Sequence, residues 1–158
     1  MSNQGALPSQ TQQAQGQSGQ YRVYIPQLDT ASPDPLDPQK RYHEGIFVET
    51  DPDGRGTLFH VTGDIIAFGG MRYEERSEYR PRESAHYHNI INIGWVLRDD
   101  FHKGRIGAIL QNLPKPPKQQ GPSFKPDPIT GRCPMIWTKP NGEAYEPGEQ
   151  RRPIIKCN

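Results

Sequence analysis

Two stretches of β-type sequence joined by a turn decide the fold of this chain: YHEGIFVET at residues 42–50 and GTLFHVTGDI at residues 56–65. Both are rich in β-branched and aromatic residues, and apolar side chains alternate with polar or small ones, as in a half-buried strand. The connecting DPDGRG, residues 51–56, contains the Pro, Asp-Gly and Gly of hairpin turns. The sequence therefore predicts an antiparallel hairpin here.

Further strands and one helix are predicted around this hairpin. An apolar stripe predicts a helix over residues 101–112, which Pro114 and the following prolines end. The predicted fold is α+β, an antiparallel sheet with this helix packed on it, and a mainly β fold is the alternative. Shorter strands are predicted at residues 21–25, 72–79, 90–97 and 135–138.

Composition divides the chain into three parts. Residues 1–20 contain seven Gln and no aromatic or charged residue, so they cannot bury enough apolar surface to fold and are predicted to be a disordered leader. Residues 21–40 are predicted to be an extended, Pro-rich segment, because each proline removes an N–H and restricts the residue before it. Residues 41–158 are predicted to form a single α+β domain.

The charge and hydropathy patterns exclude several classes of partner. The chain has 19 basic and 18 acidic side chains and no block of five like charges, so nucleic acid is not an expected partner. No apolar run approaches the roughly 20 residues of a membrane span, and the N-terminus is too polar for a secretory signal. We expect a cytoplasmic location, with a nuclear one left open, and reduced thiols at Cys133 and Cys157.

Two histidines of the hairpin are the main candidates for chemistry. His43 enters the first strand and His60 lies in its antiparallel partner, so the two imidazoles are expected near one another across the sheet. A cysteine becomes a nucleophile when an adjacent imidazole and a helix N-terminus favour its thiolate. With Cys157 as that cysteine, one histidine is predicted to act as base and the other to orient it.

Other candidate residues are predicted to have structural rather than chemical roles. His86 and His88 lie on one side of an extended segment, but they lack the third and fourth ligands of a zinc site, so no metal or other cofactor is expected. Cys133, which precedes Pro134, is predicted to fill a small apolar gap.

Three short motifs resemble a known group of enzymes: HEGIFV at residues 43–48, LFHVTG at 58–63 and IIKCN at 154–158. They are similar to the circularly permuted papain-like thiol hydrolases and acyltransferases, which include lecithin:retinol acyltransferase and the PPPDE-type isopeptidases. The segments FHVTGD and GMRYE also resemble small fungal proteins. The resemblance implies a permuted papain-like half, with Cys157 as nucleophile, His43 as general base and His60 as third member.

The implied activity is hydrolysis or acyl transfer through a thioester, with a protein, peptide or acyl compound as substrate. In that group a helix follows the cysteine, whereas this sequence stops at Asn158, so a truncated site of reduced activity is expected. The alternative function is a non-catalytic protein-binding or regulatory domain that keeps the sheet. The oligomeric state is left open.

Overall fold

The computed structural model describes residues 19–156, which form eight strands and two short α-helices. A single 3-10 turn lies at Pro81–Glu83, and the helices are α1 (Arg98–His102) and α2 (Arg105–Leu110). The strands are β1 (Gln20–Asp29), β2 (Tyr42–Glu44), β3 (Ile46–Glu49), β4 (Gly56–Thr62), β5 (Arg72–Tyr79), β6 (Tyr87–Leu97), β7 (Gln120–Pro122) and β8 (Met135–Trp137).

The main sheet is antiparallel and has β1 near its middle. β2 and β3 share one register along β1, since Glu44 lies opposite Gln27 and Phe47 opposite Tyr24. β2 and β3 are therefore two segments of a single interrupted strand. β6 covers the other edge of β1, and β4 and β5 follow β3 in turn, giving the spatial order β6, β1, β2 with β3, β4, β5. β7 and β8 form a separate two-stranded sheet.

The interruption between β2 and β3 falls at Gly45. The shared register sets Gly45 opposite Pro26 of β1, and a proline has no N–H to contribute to the ladder. Pro26 is nevertheless fully buried within β1. The hairpin strand is thus divided into two short segments without losing its direction.

The core is a row of side chains that crosses the central strands. Tyr24, Phe47 and Leu58 lie opposite one another on β1, β3 and β4 and are all buried. Phe47 has no exposed surface at all. On β4 the neighbouring Phe59 points to the other face, where it meets Phe101 of α1 with ring centroids 6.4 Å apart. The two short helices therefore cover the opposite face from the Phe47 core.

The predicted antiparallel sheet and its hairpin are confirmed, and the mainly β alternative describes the proportions of the fold better than a sheet with one main helix. The predicted helix over 101–112 is replaced by α1 and α2. Gly104 separates them, with φ 71° in the left-handed region. That conformation is typical of the residue just after a helix ends, and it stops α1 after a single turn.

The structure also differs from the predicted domain organisation. The strand predicted at 21–25 extends from Gln20 to Asp29 and is paired on both edges. The segment 21–40 therefore supplies a central strand of the domain rather than an extended approach to it. Residues 1–18 of the predicted leader lie outside the described residues, as do Cys157 and Asn158.

Candidate functional site

His43 and His60 form a direct pair, as the hairpin predicted. His43 Nε2 lies 2.8 Å from His60 Nδ1, which is hydrogen-bonding distance, and the two rings meet edge to face. His43 comes from β2 and His60 from β4. The described part of the chain thus brings together two of the three predicted site residues. The third, Cys157, lies outside it.

Gly45 allows the two histidine strands to approach this closely. A Cβ built at Gly45 would lie 2.8 Å from the Phe59 carbonyl oxygen and 2.9 Å from His60 Cβ. Both contacts are shorter than packed atoms tolerate, and the first is to backbone that cannot swing away. Any larger residue at this position would therefore push β4, and His60 with it, away from His43.

Burial keeps the pair neutral. Loss of solvent lowers the pKa of His43 below its ordinary value, and the neighbouring His60 lowers it further. Burial likewise lowers the pKa of His60, although the Glu74 carboxylate opposes the shift and the Arg76 guanidinium adds to it. A neutral imidazole is the form that accepts a proton, so the pair has the protonation state of a general base.

Glu74 favours one arrangement of the hydrogens on this pair. It lies opposite His60 in the β4–β5 register, with Oε1 3.8 Å from His60 Nε2. That distance is too long for a hydrogen bond, and His60 Nε2 is buried without another partner among residues 19–156. The negative charge of the carboxylate nevertheless favours a hydrogen on Nε2. His60 Nδ1 then accepts from His43 Nε2–H, and the lone pair is on His43 Nδ1.

A cavity of about 420 Å³ lies on the Phe59 face of the sheet; His60 is among its lining residues and His43 is not. By strand alternation, the side chains of the histidine pair share the opposite face with Phe47 and Leu58. The volume of the cavity is within the roughly 300–1,000 Å³ of small-molecule sites. Its lining is largely apolar and includes Ile25, Ile46, Phe59, Val61, Leu110 and Leu113.

The charged side chains on the cavity wall already have hydrogen-bond or ion-pair partners within the protein. Glu44 accepts a hydrogen bond from Gln27 at 2.7 Å, and Lys115 donates to the Gln111 carbonyl. Lys156 is held by two carboxylates. A neutral apolar group is therefore the occupant that this cavity accepts at least cost.

The cavity wall also includes Ile155 and Lys156, the two residues that precede Cys157 in the chain. The sequence motifs around His43 and His60 gave no indication of this wall. Glu74 was overlooked as well, because its charged segment reads as a solvated strand face. Glu74 could have been identified by extending the predicted antiparallel pairing by one strand, from β4 to β5, which places Glu74 opposite His60.

The remaining predictions have simpler outcomes. His88 stacks on Tyr42, with ring centroids 4.3 Å apart, and residues 19–156 contain no group of three or more His, Cys, Asp or Glu side chains suited to a metal ion. The prediction that Cys133 is buried in an apolar gap is wrong: its thiol is exposed and free. Within the described range, no helix has the length and apolar character needed to cross a bilayer.

The fold and the site define a small, mainly β domain with a neutral histidine pair on one face of its sheet and an apolar cavity on the other. The chain belongs to a family of unknown function, DUF6540, whose sequence profile matches residues 31–152. The match spans both histidines and ends before Cys157. Searches of curated proteins and of solved structures gave no significant match.

The lowered pKa values of the pair predict that the fold is destabilised by mild acid. Unfolding returns both histidines to an ordinary pKa of 6.5, so below that pH the unfolded chain binds more protons than the folded one. The free energy of unfolding should then fall as the pH drops through 6.5, by up to about 1.4 kcal/mol per pH unit for each extra proton. The fall ends once the folded pair is protonated too.

Urea titrations between pH 7.5 and 4.5 measure this dependence. The double variant H43Q/H60Q should flatten the profile, whereas H86Q, at an exposed histidine, should leave it unchanged. A wild-type profile that is flat from pH 6.5 to 4.5 would contradict the prediction.

Proposed function

We propose that this protein is a thiol hydrolase or acyltransferase of the permuted papain-like kind, with Cys157 as nucleophile, His43 as general base and His60 as the residue that orients His43. The substrate is an ester, thioester or amide whose acyl side is uncharged and apolar. The observation that carries the proposal is the neutral His43–His60 pair, whose ring nitrogens are 2.8 Å apart. The cavity whose wall includes the two residues before Cys157 is formed by the opposite face of the same strands.

The chemistry follows from the hydrogen arrangement favoured by Glu74. His43 Nδ1 takes the proton from the Cys157 thiol, and the thiolate sulfur attacks the substrate carbonyl carbon. The tetrahedral intermediate expels the alcohol, thiol or amine, which receives the proton from His43, and a thioester remains on Cys157. Water or a second acceptor then attacks the thioester and gives its proton to His43, which passes it to the departing Cys157 thiolate as the acyl product is released.

An ester hydrolysis assay tests the proposal. The full chain should hydrolyse p-nitrophenyl butyrate or octanoate, with an initial burst of nitrophenol where acylation of the thiol is faster than its deacylation. C157S and H43Q should each lower kcat/KM by about 10²–10⁴-fold. The matched control C133S removes an exposed thiol that does not line the cavity and should leave the rate unchanged. Equal activity of C157S and wild type would refute Cys157 as nucleophile.

A second candidate function is non-catalytic binding of an apolar group from a partner protein in the same cavity. It is favoured by one observation, that the family match covers both histidines and strands β2 to β8 but ends at residue 152. This function predicts no turnover by the wild type and partner binding that C157S leaves intact. L110R, which places a charge on the cavity wall, should abolish that binding.

A further inference from the structure

The main sheet has two outer edges, and the residues along them differ in charge. One edge is β5, in which five of the eight residues are charged: Arg72, Glu74, Glu75, Arg76 and Glu78. The other edge is β6, which pairs only with β1 among the described strands. None of its eleven residues is Asp, Glu, Lys or Arg. Charged side chains commonly protect an exposed edge against further strand pairing, so β5 has this protection and β6 lacks it.

The edge strand β6 also exposes apolar surface. Four of its large apolar side chains have exposed fractions between 37% and 53%: Ile91, Ile93, Trp95 and Leu97. They lie on both faces of the sheet. Ile91 is opposite Ile25 on the same face as Phe59, whereas Trp95 is opposite Arg22 on the face of the Phe47 core. A strand added at this edge would therefore cover apolar side chains on both faces of the sheet at once.

Trp95 is held in place on this edge by its own chain. The guanidinium carbon of Arg22 lies over the indole, 5.2 Å from the ring centroid, which is the geometry of a cation–π contact. A side chain that is already ordered loses little conformational entropy when a partner binds. Tryptophan is also among the residue types enriched at the energetic centres of protein interfaces. Trp95 therefore has the properties of an interface anchor.

Two irregularities interrupt the pairing of β6 with β1 but do not cover its outer edge. His88 and Ile93 have no directly opposite residue on β1, so two regular runs remain, at 89–92 and 94–97. At the second irregularity the Asn92 side-chain amide donates to the Val23 carbonyl oxygen at 3.3 Å. A bulge increases the twist of a strand, and alternate backbone N–H and C=O groups of each run still face outward. An extended strand is the partner that satisfies such a row of donors and acceptors.

We propose that two copies of this protein pair through β6, antiparallel and related by a twofold axis, so that their main sheets become one continuous sheet. Because β6 has no Asp, Glu, Lys or Arg, pairing it with its own copy opposes no like charges. The net charge of +1 per chain adds little long-range repulsion. Assembly ends at two copies, because both β6 edges are then used and the remaining edges are the charged β5 strands. The dimer is independent of the proposed thiol chemistry.

Sedimentation velocity of the full chain from about 1 to 200 µM, with a reductant present to exclude disulfide-linked dimers, measures the oligomeric state. The test variants are I93K and L97K, which each place a lysine on the β6 edge, as natural edge strands do. The matched control is I129K, because Ile129 is 92% exposed and lies outside all the described strands. Hydrogen exchange at low and high protein concentration, measured by peptide mass spectrometry, locates the interface. A circular dichroism melt confirms that each variant is folded.

We expect the wild type to reach twice the 17.9 kDa mass of one chain at the upper concentrations. I93K and L97K should each raise the dimer dissociation constant by about tenfold or more, because the twofold axis brings the lysines of both copies to one interface. I129K should leave the constant unchanged. Amides of residues 87–97 should exchange more slowly at high concentration, whereas those of residues 72–79 should exchange at the same rate at both concentrations.

A wild type that stays monomeric over the whole concentration range would overturn the β6 dimer. So would a dimer that the lysines on β6 weaken no more than I129K does, because the interface would then lie elsewhere. Slow exchange of residues 87–97 at every concentration would mean that the β6 edge is covered from within one chain rather than by a second copy. Growth beyond two copies would show that pairing through β6 does not close.

Discussion

Replacement of Phe47 with alanine is expected to lower the free energy of unfolding by about 3–5 kcal/mol, the range for a fully buried phenylalanine. Phe47 has no exposed surface and lies between Tyr24 and Leu58 in the core row. Its ring also meets Tyr79 edge to face, with centroids 6.4 Å apart. Truncation removes these contacts and leaves a cavity at the centre of a small core, where few neighbours are available to fill it.

Chemical denaturation of F47A and wild type measures the change. F68A is the matched control, because Phe68 is 90% exposed and its truncation should alter stability by no more than about 0.5 kcal/mol. Since domains of this size are stable by about 5–15 kcal/mol, the expected loss is a large fraction of the total stability of the fold. A loss below about 1 kcal/mol would show that Phe47 is not at the centre of the core.

The sheet was largely predictable from the sequence because its signals are local. The Asp-Gly turn and the alternating apolar residues place the hairpin, and the strands at 72–79 and 90–97 agree with β5 and β6. The helix was not predictable in the same way. An apolar stripe says nothing about backbone conformation at Gly104, and its positive φ divides the predicted helix.

The candidate site likewise has one part that local sequence predicts and another that it does not. The His43–His60 pair follows from strand pairing within one hairpin, so its proximity was predictable. The ion pairs of Lys156 were not, because Lys156 meets Asp34 and Asp37 across 122 and 119 residues of chain. The prolines around those aspartates indicate only a break in regular structure. No local pattern tells which distant cation a buried carboxylate will pair with.

Replacement of Gly45 with alanine is expected to destabilise the fold and to disturb the His43–His60 pair. The backbone of Gly45 is not in the left-handed region, so an alanine free of contacts would stabilise the protein by about 0.4–1 kcal/mol through the unfolded chain. The Cβ would instead press on the Phe59 carbonyl oxygen at 2.8 Å and on His60 Cβ at 2.9 Å. We therefore expect a loss of about 1–3 kcal/mol, as for overpacking elsewhere.

The sign of the change in the free energy of unfolding shows whether the entropic stabilisation or the steric clash of the added Cβ is larger. G69A is the matched control, because a Cβ at Gly69 meets no atom within 4 Å, and it should be neutral or slightly stabilising in urea denaturation. Moving β4 away from β2 should also break the His43–His60 hydrogen bond and admit water. The acid-induced loss of stability should then be weaker in G45A than in wild type. Stabilisation by G45A with an unchanged pH profile would mean that the close approach at Gly45 does not set the histidine pair.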